Sequence, residues 1–295
     1  MAERRGCLHE ELGFLLSPPT KPFSGLDHSP EEAETWIIGV PYDSTSSFKP
    51  GARFAPARIR EVGWELESFN PRLGVDIEEL PISDVGDIPL TVEYSTLSNT
   101  LARVLPLLYG HGKKGVFIGG THLISLPIME YLHQVYPNIG ILVFDAHLDL
   151  RDEYPQGSKY THATVMRRLS EMHVPIYYYR PRAFSKEEYS YLAGSDNLST
   201  LETPEELEAL RGPLYISIDL DIIDPAYAPG VGNPEPLGLS PREVLEALSR
   251  VALQGKSEIV GIDVVEANPL VDVNDITSLT AAKILMETLF LISRR

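Results

Sequence analysis

GILVFDAHLDL, residues 140–150, is an apolar run that breaks into three ligand-type side chains within five positions, Asp145, His147 and Asp149. A short, continuous apolar run predicts a strand covered on both faces, because a strand with one wet face alternates apolar and polar residues. The same form recurs outward along the chain, in TWIIGV (35–40), GVFIGG (115–120), PIYYY (175–179), LYISIDLD (214–221) and EIVGIDVVEA (258–267). Helical patterns lie between these runs, such as ARIREVGWELESF (57–69) and LISLPIMEYLHQVY (123–136). Ser240, Pro241 and Glu243 form a capping-box start with proline at the first helical position, and Thr203, Pro204 and Glu206 repeat it. Strand–helix alternation over this length predicts an α/β fold with a central parallel sheet and helices on both faces. Ligands of such sheets sit outside the carboxyl ends of the strands. No internal repeat or linker-like stretch divides residues 1–295, so one domain is expected, with a less regular segment over 1–34.

Composition narrows the partners. The formal net charge of −17 makes nucleic acid a poor partner and a cationic small molecule a good one. Apolar residues make up 43% of the chain, enough for a large core. The single cysteine, Cys7, excludes a disulfide within the chain and suits a reducing compartment. The first residues, MAERRGCLHEELGF, hold no apolar stretch of signal-peptide length, and no run of apolar residues is long enough to span a membrane. A cytoplasmic location is the expectation.

Six acidic and imidazole side chains fall at the ends of three expected strands. GVFIGG leads to Thr121 and His122, GILVF to Asp145, His147 and Asp149, and LYISI to Asp219 and Asp221. In an extended segment, residues two apart point to the same side, so each set can converge. Carboxylates with imidazoles suit a borderline divalent ion such as Mn²⁺ rather than a thiolate-bound zinc. Four carboxylates and two histidines exceed the needs of one ion, and four buried carboxylates without counter-charge are prohibitively costly. Two divalent cations would neutralise them and activate water for hydrolysis. A lone histidine after a strand is more often structural, and a lone D-x-D more often caps a helix. D-A-H-x-D is much sharper, and the coincidence of all three segments is sharper still.

Gly119-Gly120-Thr121-His122, Asp145-Ala146-His147-Leu148-Asp149 and Ser217-Ile218-Asp219-Leu220-Asp221 with Asp224-Pro225 resemble, in order and spacing, the signature motifs of the ureohydrolase (arginase/agmatinase) family. PYDSTSSFKPGARFAPARIRE (41–61), GSKYTHATVMRR (157–168) and DVVEANP (263–269) extend the resemblance, which is nearest to archaeal-type agmatinases. It implies a three-layer αβα fold and two Mn²⁺ ions. One ion would take His122, Asp145, Asp149 and Asp219, and the other His147, Asp145, Asp219 and Asp221. It further implies that Glu266 faces a substrate guanidinium and that His162, or Asp149, passes a proton to the departing amine. An unperturbed histidine pKa would suit that task. Thr121 departs from the acidic residue usual at that position, where a carboxylate would support a neighbouring ligand.

The implied reaction splits urea from a cationic guanidino compound. The first choice is agmatine, giving putrescine in polyamine biosynthesis, followed by N1-aminopropylagmatine, giving spermidine. Arginine, guanidinobutyrate and formiminoglutamate rank lower. Asp152 and Glu153, if they face the pocket, would favour a distal amine. The resemblance also implies a homotrimer or homohexamer. Two other classes are weighed: a metal-dependent phosphohydrolase, for which no Walker-type phosphate cradle is present, and an inert scaffold, which only Thr121 favours.

Overall fold

The computed structural model describes residues 8–293 except 27 and 156, so Cys7 lies outside the described residues. Eight parallel strands form the central sheet. In chain order they are β1 (Thr35–Val40), β2 (Ile82–Asp87), β3 (Lys114–Gly119), β4 (Gly140–Phe144), β5 (Ile176–Tyr179), β6 (Leu198–Leu201), β7 (Arg211–Asp219) and β8 (Lys256–Val265). They lie in the order β2-β1-β3-β8-β7-β4-β5-β6. The last strand of the chain therefore sits in the middle, and β3, β8, β7 and β4 end side by side.

Alternation along each strand divides the core. Ile37, Ile118, Phe144 and Ile218 face the layer holding the helices Ala55–Gly63, Pro241–Ser249 and Ile276–Ile292. Trp36, Phe117, Val143 and Tyr215 face the layer holding Tyr94–Gly110, Ser125–Val135 and Val165–Glu171. The central strands are thus covered on both sides, as their unbroken apolar runs predict. The result is a three-layer αβα fold. Both expected capping boxes form, Ser240 with Glu243 and Thr203 with Glu206.

Two sheet strands escape the apolar-run pattern. The β2 segment, ISDVGD, is an edge strand whose Asp84 and Asp87 receive the buried Arg60 guanidinium. The other edge strand, β6, has four residues, of which Leu198 and Leu201 are buried and the two between are exposed. Among the described residues of the N-terminal segment there is regular structure too. A short helix, Leu8–Gly13, buries Leu8 and Leu12. Ser17 then exchanges backbone hydrogen bonds of 2.8 and 2.9 Å with Asp87, which covers the edge of β2. Among the described residues no helix is long and apolar enough to cross a membrane.

Candidate active site

The site grows from the carboxyl ends of the four central strands. Beyond β3 the chain passes so close to Tyr42 that a Cβ on Gly120 would lie 1.8 Å from the Tyr42 carbonyl oxygen. Only glycine fits there. Thr121 has an extended backbone (φ −76°, ψ 161°) and leads into the 3₁₀ turn that begins at His122. The fully buried Thr121 hydroxyl has no hydrogen-bond partner among the described residues. It does not support His122. The outward nitrogen of His122, Nε2, lies 2.9 Å from Ser217 Oγ instead.

Strand β4 stops at Phe144, and the D-A-H-L-D segment that follows is not extended: Asp149 has a left-handed backbone (φ 51°). The His147 N–H donates to Asp145 Oδ1 (2.6 Å) and the Ala146 N–H to Asp221 Oδ1 (3.0 Å). Likewise Asp221 lies past the end of β7 in a 3₁₀ turn, its N–H donating to Asp219 Oδ1 (2.9 Å). Turns, rather than strand alternation, bring these carboxylates together.

His122 Nδ1 lies 2.9 Å from Asp145 Oδ2, 3.0 Å from Asp149 Oδ2 and 3.6 Å from Asp219 Oδ2. His147 Nδ1 lies 2.8 Å from Asp221 Oδ2 and 3.5 Å from Asp145 Oδ1. Two overlapping groups result, His122–Asp145–Asp149 and Asp145–His147–Asp221, each with its ligand atoms within 4.8 Å of one another. Asp145 turns one oxygen to each imidazole and belongs to both groups.

Electrostatics shows what the groups lack. Burial, reinforced by neighbouring carboxylates, raises Asp219 well above the ordinary carboxylate range, raises Asp221, and brings Asp149 to about 7. Asp145 is also buried, but His122 and His147 hold its pKa below the usual value. Burial opposes a charge on His122, yet Asp145 and Asp149 outweigh it and raise its pKa well above the usual imidazole value. Carboxylates driven towards protonation in a buried cluster call for added positive charge. Oxygen and imidazole donors alone make the residues fit divalent cations.

A cavity of 560 Å³ opens above the cluster. His147, Asp149, Asp219, Asp221 and Glu266 line it from the sheet, and Phe48, Arg151, Tyr154, His162, Phe184 and Glu188 are among its other walls. Glu266 follows β8 directly and has a left-handed backbone (φ 65°). Its N–H donates to the Gly120 carbonyl (2.8 Å), and its Oε1 accepts from the His122 N–H (2.8 Å). Such a conformation costs a non-glycine residue about 1–3 kcal/mol and persists where surrounding bonds enforce it. Burial raises its carboxyl to about 8. Asn268, two residues on, donates to the Lys49 carbonyl (2.8 Å) and ties the 46–49 wall to the Glu266 segment.

His162 lines the cavity with Nε2 3.2 Å from Ser47 Oγ. Burial lowers its pKa to about 4, with the imidazoles of His147 and His122 adding to the effect, so the ordinary value expected from the sequence does not hold. Asp152 and Glu153 are not among the cavity residues. The buried Arg168 captures Asp152 (2.7 Å), and Glu153 is exposed. Their neighbours Arg151 and Tyr154 face the cavity instead, with the guanidinium 4.8 Å from the ring centroid.

Three further residues were given no role from the sequence, although Asp263 opens the quoted DVVEANP segment. Asn233 Nδ2 lies 3.1 Å from His147 Nε2. Arg182 donates to the carbonyls of Asp221, Ile222, Glu235 and Pro236. Asp263 sits buried in β8 behind His122. Only Asp263 left a signal, as the first residue of DVVEANP and a charge inside an apolar run.

The Arginase family profile matches residues 33–291. The chain is 37% identical to an agmatinase of Bacillus anthracis over 270 residues, covering 88% of this chain and 92% of that one. It is equally 37% identical to an N(1)-aminopropylagmatine ureohydrolase of Thermococcus kodakarensis over 266 residues, covering 87% and 90%. The crystal structure of an agmatine ureohydrolase of Thermoplasma volcanium superposes with a TM-score of 0.83 at 31% identity, covering 96% of this chain and 97% of that one. Profile, relatives and superposition all extend over the cluster and its cavity, and the chain belongs to the arginase family, among its hydrolases of carbon–nitrogen bonds.

Proposed function

We propose that the site hydrolyses agmatine to putrescine and urea with two Mn²⁺ ions, held by His122, Asp145, Asp149 and Asp219 and by His147, Asp145, Asp219 and Asp221. The placing of Glu266 carries this proposal. Its Oε1 is engaged by the His122 N–H, while its carboxylate lines the same cavity as the cluster. The ionised group can pair with the N–H fork of a guanidinium and hold its carbon beside the cluster. When bound, the ion pair supplies Lewis-acid charge and a water acidified to near neutral pH. His162, neutral above pH about 4, is free to accept a proton at a ring nitrogen and pass it to the departing amine. Asp149, which lines the same cavity, is the other group that could make that transfer.

A second substrate, N1-aminopropylagmatine, is favoured by the equal identity to the Thermococcus enzyme and by a cavity of 560 Å³, roomy for agmatine alone. Urea release from agmatine, N1-aminopropylagmatine, arginine and guanidinobutyrate, each with added Mn²⁺, decides between them. Turnover of agmatine at the highest kcat/KM is the expected result. Urea from none of the four would sink the proposal, and a preference for arginine would sink its substrate. Assembly as a trimer or hexamer, supported by the family resemblance, is open to sedimentation.

A further inference from the structure

We infer that Ser217 and Asp263 form a hydroxyl relay that fixes the proton of His122 on Nε2 and so presents Nδ1 to a metal ion. This rests on His122 being a metal ligand, as proposed above. In the β8–β7 register, Asp263 is the direct partner of Ser217, which places the two side chains on the same face of adjacent parallel strands. Asp263 is wholly buried and receives three hydroxyls: Ser217 Oγ on Oδ1 (2.5 Å), and Ser125 Oγ (2.6 Å) and Tyr215 OH (2.9 Å) on Oδ2. Three donors converge on a group that, ionised, only accepts.

The proton count then determines each direction. Ser217 has one proton, and the 2.5 Å contact commits it to Asp263. Its oxygen can therefore only accept from His122 Nε2, 2.9 Å away. Nε2 must carry the hydrogen, and the lone pair of a neutral His122 lies on Nδ1, the nitrogen that faces Asp145, Asp149 and Asp219. An imidazole ligand commonly has a carboxylate or carbonyl on its outer nitrogen. Here the carboxylate acts through an intervening hydroxyl, and chains of this kind polarise cooperatively. The position before the histidine has no part in it, since the Thr121 hydroxyl has no hydrogen-bond partner among the described residues.

Three variants and two readouts test the relay. Mn²⁺ dissociation constants and stoichiometry are measured by titration, and thermal unfolding is followed in chelator-treated protein. Ser217→Ala removes the acceptor, and Asp263→Asn lets the amide donate to Ser217, which reverses the relay. Both are expected to weaken one of the two ions about 10- to 100-fold and leave the other near the parent value. Tyr215→Phe removes a donor from Asp263 without touching the relay and is expected to stay within about threefold of the parent. A purely structural network predicts another pattern, in which all three variants lower the unfolding temperature and none changes Mn²⁺ affinity. That pattern, or parental affinity in a folded Ser217→Ala, overturns the relay. A parent protein that binds no more than one ion overturns the two-metal proposal instead, so the two failures are distinguishable.

Discussion

Glu266 and Thr121 mark the two ways a single side chain matters here. Glu266→Gln keeps size and shape but replaces a carboxylate by an amide that offers an N–H to a donor-only cation. Glu266 is outside both ligand groups, so both ions should remain. Losing a charged partner in a desolvated site costs on the order of 2–5 kcal/mol, or roughly 30- to 4,000-fold in kcat/KM. Metal content and urea-release kinetics on one preparation check this, and a two-ion variant within about threefold of the parent would remove Glu266 from the reaction. Thr121 is the opposite case. The usual acid at its position suggests that Thr121→Asp would tighten metal binding, but in this chain the new carboxylate would replace a wholly buried hydroxyl that has no hydrogen-bond partner among the described residues. Such a carboxylate costs several kcal/mol. Thr121→Asp is therefore expected to lower the unfolding temperature without improving Mn²⁺ retention, while Thr121→Val, which removes an unpartnered hydroxyl, stays within about 1 kcal/mol of the parent.

At the scale of elements, the segment 232–238 shows how a loop becomes a wall. Arg182 sends Nε to the Pro236 carbonyl (3.0 Å), one terminal nitrogen to Ile222 (3.0 Å), and the other to Asp221 (2.7 Å) and Glu235 (2.6 Å). One planar guanidinium thus joins the loop bearing Asn233 and Glu235 to the turn bearing Asp221. A lysine ammonium has three donors at one point and cannot span four carbonyls. Arg182→Lys and Arg182→Met should both speed amide hydrogen exchange over 232–238 by about tenfold or more, corresponding to at least about 1.4 kcal/mol of local stability. Unchanged exchange there would show that the loop holds itself. None of this clamp is legible in the sequence, because Arg182 acts through backbone carbonyls, which every residue has. The same contrast holds for the sheet. Strands buried on both faces declare themselves as apolar runs, whereas β2 spends Asp84 and Asp87 on Arg60 and β6 is too short to show a pattern. The candidate ligand residues were legible because chemistry restricts their types. Their convergence was not, since it depends on turns after β4 and β7 and on β8 inserting between β3 and β7. Asp152 and Glu153 failed for a related reason: acidity is visible in a sequence, but the direction in which a loop points it is not.

On the scale of the whole molecule, the fold gathers buried negative charge where four strands end, in a chain whose formal net charge is already −17. Chelation should therefore destabilise it in a pH-dependent way. In the metal-free protein, Asp149 is raised to about 7 and Glu266 to about 8, with burial the first cause of each, and Asp219 and Asp221 are raised as well. Carboxyls whose folded pKa exceeds the unfolded value bind more protons folded than unfolded between the two. Their contribution to stability is complete below about pH 4 and is lost as pH rises through about 7 to 8. Depression of Asp145 works the other way, but its loss falls at lower pH, and the lowered His162 also works the other way, while the raised His122 acts with the four carboxyls and leaves them the larger share. Chelator-treated protein should thus unfold at a lower temperature at pH 8 than at pH 5.5, by about 5–10 °C if the net loss is a few kcal/mol. Divalent ions replace those protons as counter-charge, so protein saturated with Mn²⁺ should show little of this fall. The stabilisation gained from Mn²⁺ should accordingly be larger at pH 8 than at pH 5.5, also because protons compete with the ion for the ligands. Unfolding scans at both pH values, with chelator and with saturating Mn²⁺, measure all four quantities. Equal stabilisation at the two pH values would mean that the cluster carries its charge without help, and the physical case for divalent cations at this site would fail.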